Sequence, residues 1–105
     1  MEDLKRILLQ LDMERKTVKY YDDSSYNDLY NLYGSILKVL NNIRTQLPEL
    51  KIYQHDIDYI AREYKMLEKH RYSKAKGSRK NFFDYALKEL NDNMRAIMGA
   101  VIDDL

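Results

Sequence analysis

Two histidines, three glycines, a few paired aspartates and no cysteine are the material from which any reaction centre in this 105-residue chain would be built. A di-metal site in a helical core needs glutamates and a Glu-x-x-His repeat on facing helices. Ile52 stands three residues before His55 and Leu67 three before His70, so neither histidine completes the repeat. Without cysteine there are no disulfides, thiolate metal sites or cysteine nucleophiles. Lys76-Gly77-Ser78-Arg79 has the residue types of a phosphate loop but lacks its glycine-rich run. Asp22-Asp23 and Asp103-Asp104 fall at segment ends, where solvated carboxylates are the ordinary finding. The expectation is a chain with no catalytic residues, no metal and no cofactor, and therefore not an enzyme.

The strongest local signal is a run of cations. Between Lys69 and Lys80 there are six lysines or arginines and no acid, although the whole chain carries a net charge of only +1. Lys69, Arg71, Tyr72, Lys74, Lys76, Arg79 and Lys80 form a basic helix-turn-helix corner that could hold phosphates, with Tyr72 placed to stack on an unpaired base. The opposing reading is internal: Asp22, Asp23 and Asp28 lie in and just after the first turn, and an up-down topology brings that turn to the same end of the molecule.

Tyrosine placement is the second signal, since the chain has ten and no tryptophan. Tyr20, Tyr21, Tyr26 and Tyr30 cluster around the first turn, and exposed tyrosine is enriched where proteins bind proteins. The third is the tail, where Met94, Ile97, Met98, Val101 and Ile102 supply more apolar surface than one helix stripe requires. They are the expected self-association residues of a homodimer, with Gly99 allowing close approach.

These residues need helices to position them. Hydrophobic residues make up 45% and charged residues 33%, an ordinary globular mixture. Leu4, Ile7, Leu8, Leu11 and Val18 recur at helical spacing, predicting a first helix over about Asp3 to Tyr20. A second over Tyr26 to Leu47, capped by Ser25 with Asp28 three residues on and ended by Pro48, carries Leu29, Leu32, Tyr33, Ile36, Leu40 and Ile43. Its period runs straight through Gly34, which is expected mid-helix, allowing close packing. A third, starting between Glu49 and Gln54, carries Tyr53, Ile57, Ile60, Tyr64 and Leu67 as a heptad-like seam. Gly77 is expected to stop it in a left-handed conformation and Ser78 to cap a fourth helix from about Arg79, carrying Phe83, Ala86, Leu87, Leu90, Met94, Ile97, Met98 and Val101.

The expected fold is all-α, an antiparallel up-down four-helix bundle or three long helices plus a shorter N-terminal helix, in a single domain over 1–105, possibly dimeric. The amino-terminal MEDLKRILLQLDMERK is too often charged for a signal peptide or a membrane span, so a cytoplasmic protein is expected. The expected function is a protein-interaction module, an adaptor, inhibitor or accessory subunit that binds or occludes a partner protein. The alternative is nucleic-acid binding through residues 69–80.

Overall fold

Where apolar residues recur every three or four positions the backbone is helical. In the computed structural model this gives α1 (Glu2–Arg15), α2 (Asp23–Gln46), α3 (Gln54–His70) and α4 (Lys76–Asp104). The structure describes residues 2–46, 54–74 and 76–104, with the side chains of all of these except 2, 54, 76 and 100–104. The expected roles of Leu47, Pro48 and Tyr53 lie outside the described residues, which contain no strand.

Local chemistry fixes the boundaries and corrects three expectations. First, α1 stops at Arg15 and not near Tyr20, because Thr17 donates its hydroxyl to the Glu14 carbonyl at 2.7 Å while the amides of Lys16, Thr17 and Val18 wind into tighter three-residue bonds. Second, the cap of α2 is Asp22 and not Ser25. Its Oδ1 accepts from the Ser25 amide at 2.6 Å, and its carbonyl takes the first helical bond, from Tyr26. Third, Gly77 lies inside the first turn of α4, and no described glycine has a positive φ. The α3 chain winds out instead through amide bonds from Arg71 to Glu68 and from Ser73 to His70.

Helices adjacent in sequence pack on one another, and α4 also touches α1 and α2. Tyr26 near the start of α2 meets Leu67 near the end of α3, while Arg44 near the end of α2 meets Asp58 near the start of α3, so these two run in opposite directions. The 29 residues of α4 span about 43 Å at the helical rise, which matches the long dimension of the molecule, 43 × 22 × 18 Å. Leu8 is the one fully buried described residue of α1, whereas α2 gives Tyr26, Leu29, Leu32, Tyr33, Ile36, Val39, Leu40 and Ile43 to the core.

Two core tyrosines carry their hydroxyls inside. Tyr26 donates to the Leu67 carbonyl at 2.6 Å and Tyr33 to the Ala86 carbonyl at 2.7 Å, tying α2 to α3 and to α4. Burial pushes the Tyr26 phenol up to about 12 and raises that of Tyr33 further, so both remain donors at neutral pH. Changing either to phenylalanine should lower the unfolding free energy by about 1 kcal/mol, the net value of one such bond. Urea melts of the two variants would measure this, and an unchanged midpoint for both would show that the bonds contribute nothing net.

Candidate functional site

The basic corner is built where α3 ends and α4 begins, and the structure divides its residues into two groups. Arg71 and Arg79 turn inward onto tyrosine rings. Arg79 lies 4.7 Å from the centre of the Tyr26 ring and donates through Nη1 to Asp23 Oδ1 at 2.9 Å, while Arg71 lies 4.6 Å from the Tyr30 ring and 5.3 Å from that of Tyr72. Lys80 pairs with Asp84 one turn along α4 at 2.9 Å. Lys69, Tyr72 and Lys74 stay exposed, with no ion pair on either lysine among the described residues, and the side chain of Lys76 is not among those described. Of the three acids expected to face the corner, Asp23 reaches it, Asp22 is engaged as a cap, and Asp28 lines a groove between α1 and α2 with Glu14 and Asn31.

The tyrosine cluster is likewise divided. Tyr20 is 82% exposed. Tyr21 is half-buried with its edge against Phe83, centroids 5.5 Å apart, and Tyr30 stacks on Tyr64 at 5.0 Å. Tyr26 is wholly buried, which corrects the expectation that it faces a partner: its hydroxyl finds an acceptor inside the molecule, so its ring can fill the core.

A second correction concerns the tail. Met94, Ile97 and Met98 are buried within one copy of the chain, so these three are not free for a second. The side chains of Val101 and Ile102 lie outside the description.

Two features were not singled out in the sequence. On α1, Leu9 and Met13 are one turn apart and point away from the Leu4, Leu8 and Leu11 face that packs on the core; Met13 is 67% exposed. The second is Glu63, 4% exposed in the middle of α3. Its Oε1 accepts from the Tyr85 hydroxyl at a long 3.5 Å, its Oε2 has no partner, and Tyr85 in turn lies 3.0 Å from the Tyr59 hydroxyl. Burial raises the Glu63 carboxyl above its ordinary range and the nearby Glu89 adds to it, while Arg62 and the Tyr85 bond oppose the shift. The bond to Tyr85 raises the Tyr59 phenol most, followed by burial, so the phenol keeps its proton at neutral pH. The helical period makes Glu63 legible in hindsight: it falls three residues after Ile60 and four before Leu67, on the seam itself.

Among the described residues no cluster of three or more histidines or carboxylates could hold a metal ion, and no helix is long and apolar enough to cross a membrane. Compared with protein-family models, curated proteins and solved structures, the chain matches none of them.

Proposed function

We propose that this chain is a non-enzymatic protein-interaction module that acts by binding or occluding a partner protein, its four helices forming one cytoplasmic, antiparallel up-down bundle. The observation that carries the reading is the outer face of α1, where Leu9 and Met13 leave adjacent apolar side chains in solvent with Tyr20 just beyond the helix. Apolar and aromatic side chains repay burial against another protein, whereas in a free monomer they gain nothing. A homodimer could use the same face, because Met94, Ile97 and Met98 are already covered within one copy.

The test compares the wild-type chain with a Leu9→Glu, Met13→Glu double variant, both immobilised and exposed to cell extract, with circular dichroism confirming that both are helical. A partner retained by the wild type and lost by the variant supports the reading. No partner on the wild type, together with sedimentation as a monomer, overturns it. The variant should unfold within about 0.5 kcal/mol of the wild type, since exposed positions rarely matter more.

Nucleic-acid binding is supported by the exposed Lys69, Tyr72 and Lys74. Two unpaired lysines can replace about two counterions, so binding to a duplex oligonucleotide should weaken with a log–log salt slope of about −2 and be lost in a Lys69→Glu, Lys74→Glu variant. Fluorescence anisotropy at several salt concentrations reads both, and the absence of binding at low salt would remove this alternative.

A further inference from the structure

The two inward-turned arginines of the corner sit on neighbouring rings. Tyr26 and Tyr30 are one turn apart on α2, which places their side chains roughly 6 Å from each other, and Arg79 covers the first ring while Arg71 covers the second. Both guanidinium charges act on the Tyr26 phenol, so two like charges share one end of the molecule, and their compensation is unequal. Arg79 has Asp23, whereas Arg71 has no ion pair among the described residues, although Glu68 precedes it by three residues. The Nε of each guanidinium is buried without an acceptor. Nor does the first turn of α4 carry an acid that could balance them.

Asp23 is the informative partner. Its side chain is 81% exposed while that of Arg79 is 14% exposed, so the carboxylate sits on the solvent side of a largely enclosed guanidinium. An acid in that position offers the arginine two oxygens and one negative charge, and leaves the arginine beside it uncompensated.

We propose that Arg71 and Arg79 together bind a phosphate monoester, and that Asp23 occupies part of this site in the free protein as an internal anion. A monoester has three terminal oxygens and approaches two negative charges above its second ionisation near pH 6, which matches two planar guanidinium forks. A diester carries one charge and matches them less well. Displacing Asp23 costs little, because its carboxylate is already mostly hydrated and the incoming phosphate takes over the pairing of the enclosed guanidinium. Lys69 and Lys74 add positive charge in the same segment. The site draws on residues of α2, α4 and the segment after α3, includes neither Leu9 nor Met13, and does not rest on what α1 binds.

Titration of isotope-labelled protein with phenyl phosphate at constant ionic strength, followed through the Nε–H resonances of Arg71 and Arg79, tests the proposal; inorganic phosphate is a second probe and dimethyl phosphate the diester control. Saturable shifts of both resonances are expected, with dimethyl phosphate at least tenfold weaker and phenyl phosphate binding more tightly at pH 7.5 than at 5.5. Asp23→Asn should bind several-fold more tightly. Arg71→Gln should bind at least tenfold less tightly, and Arg71→Lys, which keeps the charge without the fork, should also lose affinity. The proposal fails if no saturable shift appears, if Asp23→Asn binds no more tightly, or if the diester binds as well as the monoester, the last being the behaviour of a nucleic-acid backbone site. Should Arg71→Gln not fold, the Asp23→Asn variant and the diester comparison still decide the question.

Discussion

Replacing Gly34 by leucine should destabilise the protein by about 2–3 kcal/mol, the upper range for forcing extra methylenes into a packed interface. A Cβ added there would stand 3.1 Å from the Tyr64 hydroxyl oxygen and 3.3 Å from two carbons of its ring. Any retreat of the ring disturbs its stack on Tyr30, which is itself covered by Arg71. Alanine is the milder case: its better helix propensity returns about 1 kcal/mol, so the net loss is smaller. Gly99 supplies the control, since a Cβ there meets nothing within 4 Å, and Gly99→Ala should be neutral or stabilising by up to about 1 kcal/mol. Urea titration of the three variants reads these values. A Gly34→Leu variant as stable as the wild type would show that α2 and α3 can separate freely at this point.

The same contact links packing to the corner. Tyr64, Tyr30 and Arg71 form a continuous stack from the α2–α3 interface to the phosphate site, so displacing Tyr64 from Gly34 also displaces the platform on which Arg71 lies. Gly34→Ala should therefore weaken phenyl phosphate binding without touching any ligand contact, and Gly99→Ala should leave it unchanged.

How much of this could be read from the sequence depends on whether the cause is local. The stripe of Leu29, Leu32, Tyr33, Ile36, Leu40 and Ile43 identifies α2 because burial repeats with the helical period, and the same period carries the helix through Gly34. The cap of α2 is not legible because Asp22 and Ser25 are both capping types three residues apart, and composition alone does not say which is the cap and which supplies the bonded amide. Gly77 reads as a stop because glycine often is one, and the polar first turn of α4 has no apolar period to argue otherwise. The inward turn of Arg71 and Arg79 is not legible, because it depends on Tyr30 and Tyr26 from a helix some forty to fifty residues earlier. The tail misled for a related reason: Met94, Ile97 and Met98 looked surplus on one helix, but α4 touches all three of the others.

Glu63 is where local and tertiary requirements conflict, and its replacement by methionine should raise the unfolding free energy at pH 7 by about 1–3 kcal/mol, the range for a buried polar group left unsatisfied. The side chain is on the core seam, one carboxyl oxygen has no partner, and the single bond to the other is long. Methionine fills a similar volume and removes the desolvated carboxyl at the cost of that weak bond. The gain must depend on pH with a definite sign. Burial and then Glu89 raise the folded-state pKa, so the folded chain holds this proton more tightly than the unfolded one. The stability contributed by the protonated acid is complete below the unfolded value near 4.5 and is lost as pH rises through the raised folded value. The advantage of Glu63→Met should accordingly be greatest at neutral pH and shrink as the pH falls toward 4.5. Paired urea melts across that range isolate the effect, because every other titrating group is common to both proteins. A gain that does not change with pH would mean that packing, and not the carboxyl's charge, separates the two chains.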